Sequence, residues 1–144
     1  MRYMIINGPN LNMLGIREKQ IYGENSYEDL LSFLKQEAEK RNIEIAVFQS
    51  NHEGVLVDLI QQAYFENYDG IIINPAAYTH TSVAIADAIK AVAPLKAVEV
   101  HLSDIDRRED FRKVSYVTPY CLGQIKGHGF ASYSLAMDLL LKNS

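Results

Sequence analysis

Gly70-Ile71-Ile72-Ile73-Asn74 reads GIIIN, three consecutive β-branched residues closed by an amide. A continuous apolar run of this kind suits a strand buried on both faces, and such strands belong to parallel sheets covered by helices. Ahead of it the pattern predicts strands over 2–7 (RYMIIN) and 44–49 (EIAVFQ). A helix is expected from Ser26 to about Arg41, and another from Ser50–Glu53 to about Phe65. Behind it, Thr81 or Ser82 opens a helix that ends before Pro94, and Lys96 to His101 forms a fourth strand. Residues near Arg107 to Arg112 suggest a short helical turn. Cys121 to Ile125 is expected as a fifth strand, and Ala131 to Leu141 as a last amphipathic helix.

Alternating strands and helices imply a parallel sheet with helices on both faces. Five strands predict an α/β fold of the flavodoxin-like doubly wound kind, with strand order 2-1-3-4-5. Local signals agree. Ser26-Tyr27-Glu28-Asp29 reads as a capping box with Asp in place of Glu. Leu30, Leu31, Leu34 and Ala38 recur at helical spacing as an apolar face. Ser50-Asn51-His52-Glu53 reads as the cap of the second helix, with His52 part of it.

Composition bounds the function. At 144 residues and 48% hydrophobic content the chain is expected to form one domain, 1–144, with a packed core. A net charge of −4 argues against a polyanion binder, which needs clustered Lys and Arg, so no nucleic-acid partner is expected. No apolar run approaches the ~20 residues that cross a bilayer, and no membrane partner is expected. Met1-Arg2-Tyr3 leads directly into a strand without a signal-peptide pattern. One cysteine, Cys121, cannot form an internal disulfide. Both features fit a cytoplasmic location. The four histidines, at 52, 80, 101 and 128, lack metal-ligand spacing, so no metal site is expected.

The topology has a chemical consequence. In open α/β sheets, ligands bind beyond the carboxyl ends of the strands. Residues after strands one, three and four must therefore converge, bringing together Asn10 to Tyr22, Asn74 to His80, and His101 to Ser103. The first of these segments lies in NGPNLNMLGIREKQIYG (7–23), far longer than the ~2–6 residues of an ordinary βα turn. Long ordered loops of this kind often act as lids, and one is expected over about 16–24. Arg17, permanently charged, can favour the phenolate of Tyr22 in the same loop, and a tyrosinate can abstract a proton next to a carbonyl. Read alone, Tyr22 is more readily one of nine tyrosines that pack, and Arg17 a solvated charge.

Glu99 precedes His101 by two residues, so both side chains share one strand face. A carboxylate beside an imidazole orients it and suits it to general-acid work, although a structural hydrogen bond is the alternative. Asn74 and His80 can read hydroxyls and a carboxylate, and the successive N–H groups of Leu102 and Ser103 can form a small anion nest. Arg108 and Arg112 stand four apart, facing one side if helical, with ion pairs to Asp104, Glu109 or Asp110 as the ordinary reading. GQIKGHG (123–129) lacks the Walker spacing and the GxGxxG register, so it reads as close helix–strand packing. Cys121 reads as a buried strand residue, and His128 has no evident partner.

Taken in order, GPNLNMLG, QSNHEG, INPAAYTHTSVAIADAI, VEVHLSDI, REDFR and GQIKGHGFASY make the chain similar, over nearly its full length, to the type II 3-dehydroquinate dehydratases. The resemblance implies a metal-free, cofactor-free anti elimination of water from 3-dehydroquinate, through an enolate, to 3-dehydroshikimate. It implies the shikimate pathway of chorismate and aromatic amino acid biosynthesis, with quinate catabolism as the alternative using the same reaction. By this resemblance Tyr22 is the base, Arg17 keeps it ionised, and Asn10 helps hold the water that stabilises the enolate. His101, oriented by Glu99, protonates the departing hydroxyl. Asn74 and the N–H groups of Leu102 and Ser103 bind the carboxylate, while His80 and Arg112 contact ring hydroxyls. Asp87 is expected to act from a neighbouring subunit, within trimers that assemble into a homododecamer. Lys19 stands where the family's lid usually carries proline, which predicts a looser lid before substrate binds. The rival readings are a flavodoxin-like small-molecule binder, a receiver-type signalling domain and an enzymatically dead assembly subunit. The first would need a Ser/Thr/Gly-rich phosphate loop and the second an acidic cluster after strand one. The first loop supplies neither, and intact Tyr22, Arg17 and His101 oppose the third.

Overall fold

In the computed structural model, residues 1–16 and 25–144 are described. Five strands, β1 (Arg2–Asn7), β2 (Glu44–Gln49), β3 (Gly70–Asn74), β4 (Ala97–His101) and β5 (Gly123–Lys126), form one sheet in the order β2-β1-β3-β4-β5. All four ladders are parallel. Helices α1 (Tyr27–Lys40), α2 (Glu53–Phe65), α3 (Val83–Ala91) and α4 (Ala131–Lys142) connect and cover them.

The alternation of side chains along each strand sorts the core into two layers. Tyr3, Ile5, Ile72, Val98 and Val100 pack with Leu30 and Leu34 of α1 and with Tyr133 and Met137 of α4. Met4, Ile6, Ile71, Ile73 and Ala97 pack on the other face with Leu56 and Ile60 of α2 and Ile85 and Ile89 of α3. The expected doubly wound order, with helices on both faces, is the observed one. β3 is fully buried along its length, as its unbroken apolar run requires.

The helix ends follow from sequence. Ser26 Oγ accepts from the Asp29 N–H at 3.1 Å, and Asp29 Oδ2 accepts from the Ser26 N–H at 2.9 Å, so the capping box is complete. Asn42 (φ +53) and Asn67 (φ +59) end α1 and α2 in the left-handed conformation that asparagine tolerates. The next N–H groups, of Ile43 and Tyr68, reach back to the carbonyls of Ala38 and Ala63. Ser82 caps α3 by accepting from the Ile85 N–H at 2.9 Å. In the second helix, Ser50 Oγ accepts from the His52 N–H, whereas the His52 side chain makes no cap bond.

Three local expectations are corrected. The fifth strand starts at Gly123, and Cys121 lies before it, half-buried, closing a 3-10 turn over Thr118–Tyr120. Leu31 lies off the apolar face of α1, at 37% exposure. The region after β4 is two 3-10 turns, Ile105–Arg107 and Asp110–Lys113, broken by extended backbone at Arg108.

Candidate active site

The site lies at the carboxyl ends of β1, β3 and β4, and its framework is set by backbone contacts. Leaving β1, the Gly8 N–H donates to the Asn74 carbonyl at 2.7 Å. A Cβ on Gly8 would fall 2.8 Å from the Pro75 carbonyl oxygen, so only glycine lets the first loop cross β3 this closely. Asn10 follows with φ +70, and its N–H donates to Asn51 Oδ1 at 3.0 Å. Gln49 Nε2, at the end of β2, donates to Asn51 Oδ1 and to the Gly8 carbonyl, both at 3.1 Å. The end of β2 thus pins the loop that carries Asn10.

Asn74 is 2% exposed, and its amide orientation is fixed by a chain of bonds. The Tyr133 hydroxyl donates to Asn7 Oδ1 at 2.6 Å and accepts from Asn74 Nδ2 at 3.1 Å, while Asn74 Oδ1 accepts from the Ala76 N–H at 3.1 Å. Asn7 Nδ2 in turn donates to the Tyr27 hydroxyl at 3.3 Å. Burial raises the proton affinity of Tyr133, only partly offset by Asn74, so its hydroxyl stays neutral and able to donate. Ala76 has φ +52, a costly conformation for a residue with a Cβ, at the turn that aims Asn74.

Across the cavity, His80 Nδ1 is 2.7 Å from the Val114 carbonyl, which can only accept, so Nδ1 carries the proton. Burial lowers the His80 proton affinity; the Val114 bond opposes this, and His101 and Arg112 add to the lowering. His80 therefore presents Nε2 as an acceptor.

The Glu99–His101 pair is the electrostatic centre. Val98 and Val100 fill the α1–α4 layer, so Glu99 and His101 face the opposite side. Glu99 is 0% exposed, and its Oε2 lies 2.5 Å from His101 Nε2. Burial favours the neutral acid, but His101, through hydrogen bond and charge, with Thr118 and Thr79, brings the Glu99 pKa down to about 2. An ionised carboxylate accepts, so His101 Nε2 carries its proton and Nδ1 is the remaining ring nitrogen.

Asn10, Asn74, His80, His101, Leu102, Ser103 and Arg112 all line one cavity, joined by Arg108. Arg112 Nε donates to Glu109 Oε2 at 2.6 Å, the ion pair expected of it. Arg108 and Arg112 reach the cavity from two separate turns, not from one helical face. Asp87 is exposed on α3 and does not line this cavity. Arg17, Lys19 and Tyr22, with most of the expected lid, lie outside the described residues. Among the described residues, no three His, Cys, Asp or Glu side chains are grouped as metal ligands, and no helix is long and apolar enough to cross a membrane.

Several residues here escaped the sequence reading. Gln124 stands opposite Glu99 in the β4–β5 register and was readable only once those strands were paired. Gln49 and Tyr133 carried a weak signal as polar ends of apolar segments. Ser115 and Thr118 lie in an aperiodic stretch without any signal.

An open parallel sheet with a polar cavity over its switch point and a buried acid–imidazole pair defines an α/β enzyme of the doubly wound class. Comparison with known proteins narrows it. The chain matches the model of the family Dehydroquinase class II over residues 1–141. It is 58% identical over 140 residues to the 3-dehydroquinate dehydratase of Clostridium beijerinckii, covering 97% of this chain and 95% of that one. It is 57% identical to the enzyme of the same name from Fusobacterium nucleatum, covering 99% and 97% of the two chains. The crystal structure of a type II dehydroquinase from Butyrivibrio crossotus superposes with a TM-score of 0.96 at 51% identity, covering 100% of this chain and 98% of that one. The chain belongs to the class II dehydroquinase family.

Proposed function

We propose that this protein dehydrates 3-dehydroquinate to 3-dehydroshikimate by a metal-free anti elimination. Tyr22, held ionised by Arg17, removes the C2 proton, and the electron pair passes into an enolate stabilised through a water held by Asn10. His101 gives its Nδ1 proton to the C1 hydroxyl as the C–O bond breaks, so water leaves and the enone forms. An acid, a base and an enolate stabiliser are what elimination beta to a ketone requires. Asn74, whose amide keeps a second N–H beyond the one given to Tyr133, binds the carboxylate with the N–H groups of Leu102 and Ser103. His80 and Arg112 contact the ring hydroxyls.

The observation that supports this reading best is the buried, ionised Glu99 fixing His101 at the wall of a cavity that also holds Asn10, Asn74, His80 and Arg112. No cofactor is needed for these steps. The reaction serves aromatic biosynthesis in the cytoplasm. Asp87, exposed and away from its own cavity, completes a neighbouring site within a homododecamer.

The test is direct. Purified protein with a metal chelator is mixed with 3-dehydroquinate, and the ultraviolet absorbance of the conjugated product is followed. A steady rise that disappears in Tyr22→Phe, while that variant still binds substrate, is expected. No rise from folded protein, or a Tyr22→Phe variant that keeps most of the rate, overturns the assignment.

A further inference from the structure

Glu99 is held by more than His101. Thr79 Oγ1 lies 2.7 Å from its Oε2, Thr118 Oγ1 2.5 Å from its Oε1, Ser115 Oγ 3.0 Å from Oε1, and Gln124 Nε2 3.1 Å from Oε2. Proton counting orders the cage. Ser115 Oγ accepts from two backbone N–H groups, of Val117 and Thr118, both at 3.1 Å, so both its lone pairs are occupied and its hydroxyl must donate. Thr79, 2.8 Å from Ser115, then sends its own proton to Glu99. Thr118 Oγ1 accepts from Gln124 Nε2 at 3.0 Å, so its proton also goes to Glu99. Two hydroxyls, of Thr79 and Thr118, and the Gln124 amide, none of them charged, thus donate into one buried carboxylate, while the single Ser115 proton lies within reach of both Thr79 and Glu99.

The imidazolium reaches only one oxygen of this buried carboxylate, and the neutral donors meet the lone pairs that burial would otherwise leave unsatisfied. A cage of neutral donors keeps the anion stable when His101 is neutral, which is its state just after proton transfer. It also spreads the carboxylate's charge, so that Glu99 holds the imidazolium less tightly.

We propose that Thr79, Ser115, Thr118 and Gln124 are positioning residues that act through Glu99 to set the acid strength of His101 and to keep the Nε2 proton in place, leaving Nδ1 as the atom that delivers. This rests on the assignment of His101 as the acid in the proposed reaction. Among the described residues, the other titratable or charged groups facing the pair are His80, Arg108 and Arg112 around the cavity, and Cys121 beside Glu99. The Cys121 thiol, pushed up to about 12 by burial and by Glu99, stays neutral. Lys126, the strand partner of His101, is paired with Asp106. None of these groups is altered by the test.

The test uses Thr118→Val, which removes one hydroxyl with little change of shape, and Gln124→Leu as a second variant should the first fail to fold. With one donor gone, Glu99 grips the imidazolium harder. The expected kcat falls about tenfold, the size of one hydrogen bond to a charged group. KM stays within about twofold, since Thr118 does not line the cavity. The alkaline limb of the kcat profile moves to higher pH, and Thr118→Ser restores both. The imidazole titration followed by NMR moves the same way in the absence of substrate. An unmoved limb and an unmoved NMR titration in a folded variant overturn the proposal, whether or not kcat falls. Because the NMR titration needs no turnover, an inactive wild-type protein would sink the proposed reaction while leaving this proposal decidable.

Discussion

At the scale of single residues, Glu99 concentrates the electrostatics of the molecule. Its pKa is lowered from 4.5 to about 2 despite burial that works in the opposite direction. In the unfolded chain Glu99 takes up its proton near the ordinary value, while the folded protein resists protonation down to about 2. Its contribution to stability is therefore complete above pH 4.5 and is lost as the pH falls from there to about 2, and is on the order of 3 kcal/mol. Glu99→Gln should flatten that part of the urea-midpoint-against-pH curve. A slope identical to wild type would show that Glu99 does not carry the acid sensitivity. The pairing of Glu99 with His101 was legible from the EVH spacing alone, because strand alternation places residues two apart on one face. Its cage was not, since Thr79, Ser115 and Thr118 come from turns whose positions are set by tertiary bonds. One such bond joins the Tyr116 N–H to the Thr79 carbonyl at 2.8 Å.

At the scale of elements, the segments with strong periodicity or explicit caps fall where the pattern puts them. β1, β2 and β3 match their predicted bounds, and α1 starts one residue inside its capping serine. β5 does not, because it is a half-buried edge strand of four residues, and neither alternation nor an apolar run marks it. The region between β4 and β5 was similarly opaque, since turns of three or four residues carry no period to read. The capping box of α1 gives this scale its test. Ser26→Ala removes the acceptor for the Asp29 N–H and should cost about 1 kcal/mol, read as a lower urea midpoint. An unchanged midpoint would mean that tertiary packing of Leu30 and Leu34, both fully buried, holds the first turn without its cap.

At the scale of the whole molecule, the parallel order explains why residues as distant as Asn10, Asn74 and His101 share a cavity: their strands are neighbours and end on the same side. That convergence follows from topology, and topology follows from alternating elements, so the meeting of Asn10, Asn74, His80 and His101 at one cavity was readable in the sequence. Asp87 was legible only through family resemblance. It lies on the exposed side of α3, and no feature of one chain gives it a role. If it serves a neighbouring copy, two defects on different chains must complement each other. Asp87→Asn and Tyr22→Phe chains, each inactive alone, are unfolded together and refolded as a mixture. A site built from the Tyr22 of one chain and the Asp87 of another is then intact. Random assembly into a closed oligomer makes about one quarter of the sites of this kind, so activity should return to about a quarter of wild type. If Asp87 acted within its own chain, every site in the mixture would carry one defect, and refolding the two together would restore nothing.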